Sequence, residues 1–122
     1  MLGIDLVEIK DFKQAVEKYG GYFLKKIFTP LEIKFLTGFT EAELESSPAK
    51  LAGFFAIKEA VVKALGLKDF KWRDIEIRNN GDEIKITASG INRIFSREDL
   101  NTSVSSTRDC VVAIALLTAG AV

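Results

Sequence analysis

The chain has 122 residues, a length that fits one ordinary domain with a hydrophobic core of its own. Its 17 basic and 17 acidic residues balance, so the total charge favours neither nucleic acid nor an anionic membrane as a partner. The chain contains no histidine, which removes the commonest general base and the commonest transition-metal ligand. Any catalysis must therefore depend on carboxylates, lysines, hydroxyl groups or a hard metal ion.

The single cysteine, Cys110, lies in an apolar run, which favours a buried thiol and excludes a disulfide within the chain. The first apolar stretch is too short and too interrupted for a signal peptide or a membrane span. We therefore expect one domain over residues 1–122 and a reducing, cytoplasmic location.

The first half of the chain is predicted to form a strand followed by helices. Alternation over residues 2–7 predicts the strand, with Leu2, Ile4 and Leu6 on one face and Gly3, Asp5 and Val7 on the other. A helix is expected over residues 11–18, broken at Gly20-Gly21, with a further turn or two over residues 23–28.

Two helix starts are well marked. Thr29 can cap a helix that has Pro30 at its first position, and Glu32 completes a capping box. That helix is expected to end near Gly38, before a polar connection over residues 40–47. Ser47-Pro48 begins the next helix, which should extend to about Leu65 with Gly66 just beyond its end.

The second half reads as antiparallel sheet. Isoleucines alternate with polar residues at 75 and 77 and again at 84 and 86, around a turn at residues 79–82. A short helix is predicted over residues 90–97. Two final strands are predicted over residues 102–106 and 110–117, and the second is so apolar that it should be central. This order of elements predicts an α+β fold.

Glu59 lies on the apolar stripe of the helix that begins at Pro48, a stripe marked by Leu51, Phe55 and Val62. A carboxylate there is costly to bury unless it is paired or bound to a metal. Lys63, four residues on, offers a helix-surface ion pair worth about 0.3 kcal/mol. Asp5 could likewise cap a helix or pair with a lysine. Spacing alone leaves the structural and the functional interpretation open.

Two segments of the chain are distinctive: residues 3–9, GIDLVEI, and residues 51–60, LAGFFAIKEA, with 63–66, KALG. The first resembles the opening signature, and the second the central helix, of holo-acyl-carrier-protein synthases, the small bacterial phosphopantetheinyl transferases. The lesser matches are Phe28-Thr29 with Glu32, residues 72–76, and residues 103–105 leading to Arg108-Asp109. All five occur in the order of the family and together cover almost the whole chain.

The resemblance implies a reaction in which the phosphopantetheine arm of coenzyme A moves to a serine of apo acyl-carrier protein, for fatty acid synthesis. It implies that Asp5 and Glu59 bind Mg²⁺ and that Lys63 reaches the coenzyme phosphates, so these three are the predicted catalytic residues. Lys58 and Ser105 are the further predicted coenzyme contacts. Mg²⁺ suits such a site because it prefers oxygen ligands and accepts substrate phosphates as the remaining ones.

The resemblance also implies an architecture: an antiparallel sheet packed against a long central helix, in a homotrimer whose sites form between subunits. The lysines in and around the first predicted helices would face an acidic carrier protein; they are Lys10, Lys13, Lys18, Lys25 and Lys26. Neither nucleic acid nor a membrane is expected as a partner.

Two of the chain's departures from the family are single residues that bear on the site. Ser106 stands where many members have a histidine, and Phe54 stands where the central helix usually carries an arginine that helps to hold coenzyme A.

A non-catalytic coenzyme A-binding relative is therefore an alternative. An unrelated metal-dependent phosphohydrolase is a second one, but it does not explain the order of the matches. The general base is left open between a metal-bound water, a carboxylate such as Glu59, and late loss of the proton.

Overall fold

The structure is a computed structural model and describes residues 1–37 and 48–118. Within these ranges the elements in chain order are β1 (Leu2–Glu8), α1 (Ile9–Ile27), α2 (Pro30–Thr37), α3 (Pro48–Leu65), β2 (Ile75–Arg78), β3 (Glu83–Ala88), β4 (Ile91–Ser96), β5 (Leu100–Ser106) and β6 (Cys110–Leu117). Short 3₁₀ turns at Trp72–Asp74 and Asn79–Gly81 flank β2. The predicted α+β class is confirmed.

The strands form two antiparallel sheets, where the sequence predicted one. The first has the order β1-β6-β5 and the second the order β2-β3-β4. β6 is the middle strand of its sheet, as its apolar sequence predicted, and the β2–β3 hairpin is also confirmed. The two sheets are joined in sequence by the short connection from β4 to β5.

The region predicted as a helix at residues 90–97 is instead strand β4, so that prediction was wrong. Ser89 and Gly90 both have positive φ angles, 55° and 81°, and they reverse the chain so that β4 pairs with β3. The apolar residues at 91, 94 and 95 fit helical spacing, but Phe95 is buried whereas Ile94 is 45% exposed. The turn before the segment, rather than its own apolar spacing, determines the structure.

The helix starts and stops follow the sequence closely. The Thr29 amide donates to Glu32 Oε1 over 2.8 Å, and the Glu32 amide donates to Thr29 Oγ1 over 3.2 Å, so the predicted capping box is present. The predicted break at Gly20 is a kink, since its φ of 61° and ψ of −145° are not helical, although α1 continues to Ile27. The predicted end at Gly38, the connection after it and Ser47 lie outside the described residues.

Helix α3 packs against β1 and β6 through small residues. It ends at Leu65, and Gly66 has the left-handed φ of 62° expected just beyond a helix. The face that meets the sheet is an alanine row at four-residue spacing, Ala52, Ala56, Ala60 and Ala64, and every member is fully buried. The stripe predicted from Phe55 and Val62 is only partly buried, so Glu59 lies at the edge of the packed face and not within it.

The first sheet has two unlike faces. Gly3, Asp5 and Val7 face α3, whereas Leu2, Ile4 and Leu6 face away from it, as the alternation predicted. The register places Leu116 opposite Leu2 and Ile114 opposite Ile4. These five apolar side chains, which we call the outer face, are 40–63% exposed in the single chain. None of the helices in residues 1–37 and 48–118 has the length and apolar composition of a membrane span.

Candidate active site

Asp5 and Glu59 lie beside each other where β1 crosses α3. Asp5 is in the middle of β1, points toward α3 and is only 8% exposed. Glu59 is half-buried at the edge of α3, and its carboxyl group lies within hydrogen-bonding reach of Asp5. The structure therefore brings together two carboxyl groups that are far apart in sequence.

Lys63 completes the cluster from the next turn of α3. Its Nζ donates to Asp5 Oδ1 and to the carbonyl oxygen of Ile4, both over 2.9 Å. Helical spacing offered Glu59 as an ion-pair partner for Lys63, but Lys63 pairs with Asp5, and Glu59 lies near enough to act electrostatically. The hydrogen bond that Lys63 donates to Asp5 raises the pKa of the Lys63 ammonium, whose side chain is 55% exposed and accessible to a ligand.

The negative charges of the two carboxyl groups are only partly neutralised by Lys63. Burial, the Asp5 charge and a hydrogen bond with Asp5 raise the pKa of Glu59 to about 7, against the lowering effect of Lys63. Asp5 Oδ2 is buried and has no hydrogen-bond donor among residues 1–37 and 48–118. Two carboxyl groups can bond to each other only when one carries a proton, so two ionised groups leave this oxygen unpaired. The pair can accommodate either a proton or a cation.

This donor set fits Mg²⁺. The ion is commonly held by one or two carboxylates, with waters and substrate phosphates as its other ligands. Among residues 1–37 and 48–118, no group of three or more His, Cys, Asp or Glu side chains could surround a metal. These residues therefore form no closed structural metal site. Mg²⁺ that also binds substrate phosphates is typically held by an open site with one or two carboxylates, which is what Asp5 and Glu59 offer.

Lys58 is not part of this cluster. Its ammonium is fully buried and donates to the carbonyl oxygens of Ile27 over 2.6 Å and Trp72 over 3.2 Å, and to Glu32 Oε1 over 2.6 Å. Burial lowers the pKa of Lys58, and the charge of Glu32 opposes that effect. With three acceptors and no exposed surface, this position does not support the prediction that Lys58 contacts coenzyme A.

The partner of Lys58 explains why several sequence motifs occur together. The Glu32 carboxylate accepts from the Thr29 amide and from the Ile77 amide, the latter over 2.9 Å, as well as from Lys58. The match at Phe28-Thr29 with Glu32 and the match around Trp72 therefore meet the central-helix match in one buried network. The sequence analysis did not predict that Lys58 is the buried partner of Glu32. The available signal was the position of Lys58 on the helix, between Ile57 and Ala60, which are both buried.

Ser105 is exposed on β5, opposite Val112, in the row of residues that begins with Leu6 on β1. It therefore lies on the outer side of the first sheet, whereas Asp5 lies on the side that faces α3. Within one chain the structure does not bring Ser105 to the carboxylate pair.

Phe54, at the position of the usual arginine, stacks on Phe35 with ring centroids 5.8 Å apart and an interplanar angle of 16°. Both rings line a cavity of about 620 Å³ between α2, α3 and β5, to which Lys50 and Arg97 contribute positive charge. The arginine position is thus occupied by one half of an aromatic pair.

The comparison with known proteins decides the family. The model of the 4'-phosphopantetheinyl transferase superfamily matches residues 1–115. The chain belongs to this superfamily. This confirms the resemblance on which the site prediction rests, and it makes the chain a member of a family of transferases.

The similar proteins share one description. A holo-[acyl-carrier-protein] synthase of Paramagnetospirillum magneticum is 42% identical over 84 residues, which are 66% of this chain and 60% of that protein. The synthase of Chlamydia trachomatis serovar L2 is 36% identical over 126 aligned residues, which cover 94% of this chain and 96% of that protein. The crystal structure of the Helicobacter pylori synthase in complex with coenzyme A has a TM-score of 0.66 and 27% identity, covering 97% of this chain and 100% of that one.

Proposed function

We propose that this chain is a holo-[acyl-carrier-protein] synthase. It transfers the 4'-phosphopantetheine arm of coenzyme A to a serine of apo acyl-carrier protein, for fatty acid synthesis, and releases adenosine bisphosphate. The names of the similar proteins support the reaction class. The observation that carries the proposal is the cluster of Asp5, Glu59 and Lys63, because it offers a metal-binding carboxylate pair and a phosphate-binding ammonium in one place.

In this proposal Asp5 and Glu59 hold Mg²⁺, which when bound neutralises charge on the attacked phosphoryl group and on the leaving phosphate. The unpaired Asp5 Oδ2 supports this role, because a cation would supply its missing partner. Lys63 binds the diphosphate of coenzyme A through its exposed ammonium and so orients the phosphoryl group that is transferred.

One candidate for the general base is Glu59 itself, which could take the proton of the carrier serine hydroxyl. Its pKa of about 7 belongs to the metal-free chain, and bound Mg²⁺ would lower it. The alternatives are a water molecule in the site or late loss of the proton in a loose transition state.

The outer face supports a homotrimer as the working form. Apolar patches of this kind on a single chain mark protein interfaces, and this one covers both β1 and β6. Ser105 lies on the same side of the sheet, so trimer formation would place it at the boundary with the next subunit. There it would reach coenzyme A bound to the carboxylate pair of a neighbouring copy.

The lysines of α1 support docking of an acidic carrier protein. All five predicted positions are exposed: Lys10, Lys13, Lys18, Lys25 and Lys26. Two of these ammonium groups lie over exposed tyrosine rings, Lys18 at 5.3 Å from Tyr19 and Lys26 at 4.7 Å from Tyr22. Such a surface steers an acidic partner toward the chain, which fits a cytoplasmic enzyme whose substrate is a small acidic protein.

A second candidate function is a non-catalytic coenzyme A-binding relative, which the aromatic pair at Phe54 favours because the usual coenzyme-binding arginine is absent. One assay separates the two. The protein is incubated with apo acyl-carrier protein, coenzyme A and Mg²⁺, and the carrier is weighed by mass spectrometry. We expect one added phosphopantetheine group. No transfer, with coenzyme A binding intact by calorimetry, would establish the non-catalytic relative instead.

A further inference from the structure

Gly3 lies where the backbone of β1 comes closest to the backbone of α3. A Cβ atom placed on Gly3 would lie 1.9 Å from the carbonyl oxygen of Ala60 and 2.7 Å from the amide nitrogen of Ala64. Real Cβ atoms essentially never approach a heavy atom within 3.0 Å. Both contacted atoms belong to the helix backbone, so no change of rotamer relieves the overlap. Only a glycine fits at this separation of strand and helix.

The requirement at Gly3 concerns space and not backbone conformation. In the described part of the chain the glycines with positive φ angles are Gly20, Gly66, Gly81 and Gly90, and Gly3 is not among them. Gly3 is an ordinary strand residue that pairs with Ala115 of β6. An alanine at this position would therefore keep the strand conformation and the pairing with β6, and its effect would be to move β1 away from α3.

Such a movement would act directly on the carboxylate cluster. Asp5 is two residues after Gly3 and lies on the same face of β1. On α3, the backbone of Ala60 and Ala64 lies against Gly3, and Glu59 and Lys63 are the residues directly before these two alanines. Increasing the closest contact from 1.9 Å to 3.0 Å requires a displacement of at least about 1.1 Å. A metal site tolerates errors of only about 0.2 Å in its ligand distances. The separation of β1 and α3 is therefore a property on which the site depends.

We propose that Gly3 is a positioning residue that sets the separation of the Asp5 and Glu59 carboxylates by allowing β1 to lie directly against α3. Gly3 acts through Asp5 and does not itself touch the substrate. The inference rests on the proposed function, because the ligand shared by the two carboxylates is Mg²⁺. The new element is that the contact between the backbones of Gly3 and α3 determines the affinity of the site for this ion.

The test compares Gly3→Ala with a matched control, Gly53→Ala. Gly53 is also buried, but a Cβ placed there meets nothing nearer than Val104 Cγ1 at 3.9 Å. Binding of Mn²⁺, a spectroscopic substitute for Mg²⁺, is measured by electron paramagnetic resonance without coenzyme. We expect Gly3→Ala to keep its circular dichroism spectrum and oligomer size and to bind Mn²⁺ about 10–100-fold more weakly, the range found when a metal ligand loses its support. Gly53→Ala should bind Mn²⁺ like the wild type.

The transfer assay adds a readout that a general loss of stability would not move. The Mg²⁺ concentration at half-maximal rate should rise for Gly3→Ala, while the KM for the carrier protein stays unchanged. A folded Gly3→Ala variant with wild-type Mn²⁺ affinity would overturn the proposal.

Three further outcomes are also decisive. If Gly3→Ala does not fold, the comparison is repeated in the Gly53→Ala background, where alanine favours the helix. A chain that stays unfolded there overturns the proposal, because the glycine is then a requirement of the fold as a whole. A wild-type protein that binds no Mn²⁺ overturns the metal site itself, and the inference with it. If the wild type binds Mn²⁺ and catalyses transfer, and Gly3→Ala does both equally well, only the role of Gly3 is overturned.

Discussion

Lys58 and Glu32 form an ion pair of 2.6 Å in which both side chains are fully buried. The pair joins α2 to α3, and through Ile27, Trp72 and Ile77 it reaches the end of α1 and the start of the second sheet. A buried ion pair seldom adds net stability over an apolar pair of the same shape, but removal of one partner leaves an uncompensated charge. This network therefore holds several elements in one arrangement around α3.

Replacement of Lys58 should destabilise the fold severely. In Lys58→Met the Glu32 carboxylate stays buried without its cation, which typically costs about 3–5 kcal/mol in the free energy of unfolding. Urea denaturation measures this quantity. Lys63→Met is the matched control, since Lys63 is on the same helix but 55% exposed, and it should lose far less stability. Equal losses in the two variants would show that the Lys58 pair does not have this role.

The stability of the metal-free protein should depend on Glu59 in a definite pH window. The folded pKa of about 7 is above the ordinary value of 4.5, so the folded state holds this proton to higher pH than the unfolded state does. The contribution of Glu59 is therefore present below about pH 4.5 and is lost as the pH rises through about 7. Between pH 5 and pH 8 the wild type should lose stability relative to Glu59→Gln in urea denaturation at a fixed protein concentration. Parallel pH profiles would contradict the raised pKa.

Mg²⁺ should raise the Tm of the wild type at pH 8, because an ion that binds only the folded state stabilises it by mass action. The increase should vanish in Asp5→Asn, which removes one of the two ligands. Asp82→Asn is the control, since its carboxylate is exposed and pairs with Arg97 away from the cluster, and it should keep the increase. Differential scanning fluorimetry over a Mg²⁺ series measures all three proteins. An equal increase in Asp5→Asn would place the ion elsewhere.

A charge on the outer face should dissociate the proposed trimer without unfolding the chain. Leu6 is 63% exposed in the single chain, so Leu6→Lys should leave the fold intact and yield a monomer in light scattering after size exclusion. Ile94→Lys, which changes a residue 45% exposed on the second sheet, is the control and should remain a trimer. A trimeric Leu6→Lys protein would exclude the outer face as the interface.

The sequence predicted those parts of the structure that are determined locally. The capping box at Thr29 and the end of α3 before Gly66 depend on contacts within a few residues, and the two faces of β1 follow from the alternation of side chains along a strand. The β4 strand was missed because the Ser89-Gly90 turn, and not the apolar spacing after it, determines its conformation. The pairing of strands into two sheets depends on long-range contacts that no local pattern reveals.

The site divides in the same way. Family resemblance joined Asp5 to Glu59, and the structure brings them together. Helical spacing suggested Glu59 as the ion-pair partner of Lys63. In the structure Lys63 pairs with Asp5, because β1 lies within reach of the exposed side of α3. The burial of Lys58 could not be predicted from its position on the helix, since its partner Glu32 comes from another helix. Ser105 lies on the other side of the sheet and stays a prediction about the trimer.

The most direct test of the account is the rate of phosphopantetheine transfer to apo acyl-carrier protein by Glu59→Gln at saturating coenzyme A and Mg²⁺. Glutamine keeps the size of the side chain but removes the charge that holds the ion and the group that accepts the proton. We predict a rate at least about 10²-fold below the wild type, with native circular dichroism, since one acid–base group alone typically contributes 10²–10⁴-fold. Asp82→Asn should keep the wild-type rate. A folded Glu59→Gln protein that transfers at the wild-type rate would contradict the central claim that Asp5 and Glu59 form the catalytic metal site.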